Sequence, residues 1–441
     1  MKPLLLAALL ALSGSPSLLL AQRLYVDAAA PSGGDGRSWA SAMPRVQDAL
    51  VLATPGSSVW VAPGVYTGNF VVPSGVRLLG GLLPGAQRED EARPLENPTI
   101  LDALSHGRVV LLGDRAELDG FVVRNGRAPA PGGGGTLVDG TTVAIRRCQF
   151  LSNTIDAGDG TGLLVLRGGD PTVVDSVFAQ NANTGHAIAV QNFGRGTYEH
   201  LSVVDNQHNG MFLENGASCV IRSSIFARNR GRGICDFSNG APNQLLLQNA
   251  LFWQNTVSLM HYRGVELRSL AEVSALPYAS GILAADPRFA GAGDYRLLAD
   301  SPAIDRGGVA LDTGLELAGF PRVLDGDLDG ALRSDVGAYE FGAFFLRRSG
   351  AAIPGTTLRF DLAGPTNALG VLAVLQPSTA LWFEPLGALY GLPVAVLPLG
   401  SLPASLLAPL PIGVSFDLHV QGVGLLGSAV GFSNPLALAW R

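Results

Sequence analysis

The chain has 441 residues, 57 of them glycine, with 47% hydrophobic and only 15% charged, a composition of strands and turns rather than of a disordered or highly charged helical chain. Its formal net charge is -6 and Lys2 is its only lysine. The basic stripe that nucleic-acid binding needs is therefore missing, and nucleic acid is excluded as a partner.

Residues 1–21 read as a secretory signal peptide. One basic residue precedes an apolar run, Leu4 to Leu12, and small residues lead to a second run, Leu18 to Leu20, with a cleavage point at Ala21. Gly14 and Pro16 interrupt the runs, so the roughly 20 continuous apolar residues of a membrane span are not reached. The expectation is a secreted or cell-surface protein with no transmembrane segment after cleavage. Cys148, Cys219 and Cys235 are odd in number and fall in different places of the repeat described below, which argues against a disulfide framework.

From residue 24 the chain opens with Tyr25-Val26-Asp27, Gly34-Asp35-Gly36 and Ser38-Trp39-Ala40. Pro44 to Ala53 then carries Val46, Ala49, Leu50 and Ala53 at helical spacing. This predicts one short helix in a cap over about 40–58, covering strand edges that would otherwise stand unpaired. Val59-Trp60-Val61-Ala62-Pro63-Gly64-Val65-Tyr66, Gly75-Val76-Arg77-Leu78-Leu79-Gly80-Gly81 and Asn97-Pro98-Thr99-Ile100-Leu101 follow, and Leu82 to Pro98 between them reads as an exposed loop. Residues 127–136, with two prolines and four glycines, read as a loop at a corner.

Between residues 143 and 256 one phrase is said five times, as in Cys148-Gln149-Phe150-Leu151-Ser152-Asn153 and Ser224-Ile225-Phe226-Ala227-Arg228-Asn229. Its anchors Phe150, Phe178, Val203, Phe226 and Phe252 are 28, 25, 23 and 26 residues apart, and a looser sixth copy holds Phe121 and Asn125. Such periods mean a stacked architecture. Each copy holds short runs of Val, Ile, Leu and Phe broken by Gly, Asn and Asp, with no room for an amphipathic helix, so the stack is a coil of strands. Five residues before the anchor stand Ile145, Val173, Tyr198, Ile221 and Leu247, an inward file; three before it stand Arg147, Asp175, His200, Ser223 and Asn249, a polar turn expected to face water. Three after it stand Asn153, Asn181, Asn206, Asn229 and Asn255. Rungs about 4.8 Å apart would stack these amides into a hydrogen-bonded structural ladder.

With these columns the chain resembles a secreted bacterial right-handed parallel β-helix of the pectate-lyase-like (pectin lyase-like) type over residues 24 to about 340. The phrases of its first eighty residues are similar to those of polymorphic outer-membrane-protein-like passengers. The resemblance implies an all-β solenoid spanning 22–342. The phrases from Asp286-Pro287-Arg288-Phe289 to Gly337-Ala338-Tyr339-Glu340 resemble the closing module found after many such coils, which places a C-terminal cap at about 285–342.

Within that module Asp325, Asp327 and Asp329 precede Gly330, the first half of a calcium loop, but Val336 stands where a bidentate Glu is wanted. Two readings stay open: Ca²⁺ bound with Asp335 closing the site, or a solvated acidic turn. Residues 345–441 show period-two runs with turn residues between them, predicting a small β-sandwich. They resemble a C-terminal domain of large secreted bacterial proteins.

The resemblance implies a place for chemistry, since pectate lyases and polygalacturonases set several carboxylates with Arg or Lys on one exposed strand face. Taking the first and third residues after each corner glycine as inward, the outward set is Leu164, Leu166, Ala187, Ala189, Phe212, Glu214, Cys235 and Phe237. One carboxylate among eight is no acid/base pair for glycosidic cleavage, and shifting the register by one exposes His186, Ile188 and Asp236 instead, still without a pair. The best polar cluster is Arg147, Asp175 and His200 on successive rungs, either a lyase-like base with a charge neutraliser or a salt-linked turn ladder. Asp156, Asp159, Asp205 and His208 could line a groove, and Phe212, Glu214, Phe237 and Trp253 could form a stripe for sugar rings. The expected function is a non-catalytic scaffold, needing no cofactor, that binds polysaccharide or another cell-surface component; the alternative is a polysaccharide lyase or glycoside hydrolase acting on an acidic polysaccharide. Oligomeric state is not legible in the sequence.

Overall fold

The computed structural model describes residues 22–182, 185–308, 314–324, 326–327 and 331–342 in full, together with the backbone of strands between 345 and 440. The signal peptide expected at 1–21 lies outside the described residues. The repeat winds a right-handed parallel β-helix, the hand that parallel crossovers take. On one side run Thr142–Arg146, Asp170–Ala179, Arg195–Val204, Ser218–Arg222 and Gln244–Gln248, whose register puts Ile145, Val173, Tyr198, Ile221 and Leu247 in one file. On the next side Phe150, Phe178, Val203, Phe226 and Phe252 are in file. Both sides belong to one 17-stranded sheet, because two ten-residue strands run through the corner between them. The third side is a nine-stranded sheet, parallel except for the hairpin Met260–Tyr262 with Val265–Leu267.

Two of the corners are each turned by one residue in the left-handed region. Arg147, Asp175, His200, Ser223 and Asn249 have φ between 46° and 52°, and Asn125, Ser152, Gln180, Asp205, Arg228 and Gln254 stand at a second corner with φ between 46° and 57°. None of the described non-glycine residues at positive φ is β-branched, as steric crowding at Cβ requires. A polar residue recurs before each ladder asparagine for this reason.

Inside, the inward files form one cluster from Leu24 to Ile282. The rings of Phe150 and Phe178 stack with centroids 4.6 Å apart and planes 2° from parallel, and Phe226 and Phe252 stack at 5.6 Å. Burying a phenylalanine is worth about 1.5–3 kcal/mol, and a parallel coil repeats that gain on every rung. The ladder satisfies every polar group of its buried amides. Asn181 Nδ2 donates to Asn206 Oδ1 (3.0 Å) and to the Phe150 carbonyl (3.0 Å), while Asn181 Oδ1 accepts from the backbone N–H and Nδ2 of Asn153. The same pattern carries on through Asn206, Asn229 and Asn255. At the sixth copy the frame shifts: Val123, not Phe121, pairs with Phe150. Asn125 is thereby the left-handed corner residue, and Gly126 takes the ladder position, donating its N–H to Asn153 Oδ1 at 2.9 Å.

The N-terminal end is covered by the helix Val46–Leu52, whose Val46, Ala49 and Leu50 are buried in the core cluster with Ala53. The stretch 82–98 is less open than its charges suggest, since Leu82, Ala86 and Ala92 are buried against Trp60. At the other end Val273 of the short helix Leu270–Ser274 and Ile282 close the core. The segment expected to cap that end lies instead along the flank. Tyr295, Leu297, Ile304, Leu317, Val336 and Tyr339 pack on Val177, Ala179, Val204, Ile225 and Ala227, the outward side chains of the anchor strands. Beyond residue 345 the backbone forms a three-stranded and a four-stranded antiparallel sheet. The side chains that would make them a sandwich lie outside the described residues.

Candidate functional site

The polar turn ladder does not face water. Asp175, His200 and Ser223 are 3%, 2% and 1% exposed, because the flanking segment covers their corner. Arg322, itself fully buried, makes an ion pair with Asp175 and reaches Glu340 at 3.2 Å, and Gly337 N–H donates to the Ser223 carbonyl. Arg147 is turned the other way, onto Asp119. His200 sits beside Glu199, and burial holds its imidazole well below the usual histidine range. Substrate has no path to this cluster, so the proposed base and neutraliser form a buried joint between coil and segment.

The calcium residues divide. Asp325 and Asp329 lie outside the described residues and Asp327 is exposed. Asp335 is buried and accepts from the backbone N–H groups of Asp305 (2.8 Å) and Phe341 (2.6 Å). Among the described residues no three His, Cys, Asp or Glu side chains converge on a metal-sized space.

The nine-stranded sheet carries aromatic and polar side chains on its outward face, exposed at Phe237 and half-buried at Phe212, Gln191 and Glu214. Its outward files are Leu164, Ala189, Phe212, Cys235 and His261, and beside them Gln191, Glu214 and Phe237. Ala187 belongs to the core instead. Ile188, not His186, pairs with Leu163 and Met211, so this rung's corner is longer than the sequence spacing implied. Trp253 is on another side altogether. It follows Ala227 in the anchor sheet and packs at the edge of the flanking segment, so the expected stripe is reduced to Phe212, Glu214 and Phe237.

Two glycine-rich loops, 127–135 and 156–162, lie as a roof over the middle of this face, where Leu137, Leu164, Leu166 and Ala189 form a buried outward cluster, while Val71 and Leu111 of the same file stay exposed on the N-terminal side. They are zipped together by backbone bonds, Asp159 N–H to the Pro131 carbonyl and Gly133 N–H to that of Asp159, both 2.9 Å. A Cβ at Gly158 would lie 1.8 Å from the Pro131 oxygen and one at Gly160 2.7 Å from Leu164 Cβ, both at positive φ. Only glycine lets the loops lie this close.

The roof ends at Asp159. Its carboxylate accepts from the N–H of Gly160 (2.7 Å), the N–H of His186 (2.9 Å) and Gln191 Nε2 (2.9 Å), with His186 Nε2 at 3.6 Å. Burial, with the nearby Glu214 charge adding to it, raises the Asp159 carboxyl to about 6 against those bonds. His186 stacks on Phe212 with centroids 4.3 Å apart, and its Nδ1 is 2.8 Å from Nδ1 of His208. Burial, followed by repulsion from His208 and Arg232, lowers His186 to about 3, and burial and Arg232 lower His208. Both rings are thus neutral near pH 7, one Nδ1–H donating to the other. Phe237 lies 6.2 Å from Phe212 on one side and 6.2 Å from His261 on the other, and is 43% exposed. The result is a run of rings along the coil, His186, Phe212, Phe237 and His261, edged by Asp159, Gln191 and Glu214.

Asp159 and His208 were legible only as possible groove residues, Glu214 as part of the stripe and His186 as the strand residue after its corner glycine, while Gln191 and His261 carried no motif. Their common signal is position: each stands beside a repeat corner, on the rungs where the roof stops.

The family model described as "Right handed beta helix region" matches residues 95–269. No curated protein matches the chain. Among solved structures the chain is similar to the enzymatically active domain of Bacteriophage CBA120 tailspike protein 2, at 11% identity over 96% of this chain and 76% of that one, with a TM-score of 0.21.

Proposed function

We propose that the open face of the nine-stranded sheet binds polysaccharide, outside the cell or on its surface, and that it does so without catalysis. The observation that carries this is the run of rings with hydrogen-bonding groups at its edge. Phe212 and Phe237 offer apolar faces to sugar rings, while Gln191 and Glu214 offer partners for hydroxyls, the mixture by which binding sites fix orientation. Cleavage is disfavoured by the state of the polar groups. The imidazoles of His186 and His208 are bonded to each other and the oxygens of Asp159 accept from the chain itself. Among the described residues of this face, that leaves Glu214 as a lone uncommitted carboxylate where glycosidic cleavage takes two.

The test is a panel of polysaccharides run by affinity electrophoresis, with product assays alongside. Phe212→Ala and Phe237→Ala should each weaken binding at least about tenfold, a loss of roughly 1.4 kcal/mol or more. Thr172→Ala, on another exposed side, should leave it unchanged. Absence of binding to every glycan would overturn the reading; new reducing ends or unsaturated products would overturn its non-catalytic part.

A further inference from the structure

We infer that this face takes a glycan whose sugars carry free amines, a cationic polymer rather than an acidic one. The inference rests on the glycan-binding reading and adds its charge class. Among the described residues, the arginines close to the face are held elsewhere with the exception of Arg230. Arg232 forks onto Glu266 with Nε–Oε1 at 2.9 Å, and Ser258 Oγ donates to the same carboxylate at 2.6 Å. Arg167 pairs with Asp139, Arg263 lies over the Tyr262 ring, and Arg108 is held by the carbonyls of Gly132 and Gly133 behind the roof. Arg230 is exposed at the corner beyond His208.

The anions are not committed in this way. Asp159 and Glu214 form no arginine salt bridge among the described residues, and burial, with the Glu214 charge adding to it, raises the Asp159 carboxyl. The neighbouring imidazoles are held neutral and supply no compensating charge. An ammonium group set by Glu214 would relieve that repulsion, and the faces of Phe212 and Phe237 attract a cation as well as a sugar ring. A uronic acid in the same place would add a third negative charge to this edge.

The experiment compares three hexasaccharides on the full chain by calorimetry at pH 6.5: fully deacetylated chito-oligomer, its N-acetylated form, and oligogalacturonate, with hexalysine as a fourth ligand. The deacetylated oligomer should bind at least about tenfold tighter than the acetylated one, about 1.4 kcal/mol. Glu214→Gln should shrink that ratio severalfold, and Thr172→Ala should not. Equal or better binding of the acetylated or acidic oligomer, sensitive to Phe237→Ala, would overturn the charge assignment and leave the glycan face standing. Tighter binding of hexalysine would assign the face to basic peptide and overturn the sugar. Binding of none of the four would overturn the charge assignment, and absence of binding to every glycan of the panel would overturn both readings.

Discussion

At the scale of single residues, the ladder shows why a repeated side chain was readable. An amide stacked at the rung spacing can satisfy its neighbours only if they are amides too, so the column imposes one residue type, and the sequence shows it five times. Asn206→Ala removes the acceptor of both the backbone N–H and Nδ2 of Asn181, in a site 1% exposed. Two stranded buried donors should cost about 2–5 kcal/mol, seen as a lower urea midpoint with little change in slope; a midpoint shift near zero would contradict the ladder's structural role. The polar turn column was equally visible, but not its burial. Asp175 meets Arg322 from 147 residues away, and nothing local announces a partner at that distance.

At the scale of elements, the flanking segment is held by a joint rich in buried acid. Burial raises Glu316 and Asp335 from 4.5 and 3.8 to about 7 and raises Glu340 as well, while Arg322 is the one cation facing them together with Asp175 and Asp305 among the described residues. A carboxyl whose folded value is raised stabilises fully below its unfolded value, and that contribution is lost as pH rises through the folded one. The window here is about pH 4 to 7. His186 and His200, lowered by burial, act oppositely, their contribution being present above about 6.5 and lost as pH falls. The melting temperature of the wild type, taken relative to that of Asp335→Asn so that the histidines cancel, should therefore decline from about pH 5 to 7 and level off above. A difference that is constant or rises over that interval would contradict the buried joint. The segment's phrases were legible in sequence as a closing module. Its place on the flank was not, because the apolar residues that receive it, Val177, Val204 and Ile225, read equally well as core.

At the scale of the whole molecule, the three sides of the coil have different fates. The anchor side is covered by the segment, both ends are closed by short helices, and the nine-stranded sheet stays open on either side of its glycine roof, with the aromatic and polar side chains on the C-terminal side. Coil, period and inward files followed from the repeat because stacking writes the same pattern on every rung. The site did not, because its residues come from loops and rungs of unequal length, and His186 was misplaced by the longer corner of its own rung. Hydrogen exchange with and without a bound polysaccharide tests the central claim most directly. Added protection should appear in Met211–Glu214 and Ile234–Phe237 and in the roof around Asp159. Protection confined to Thr142–Arg146 and Ser218–Arg222 on another open side would contradict it.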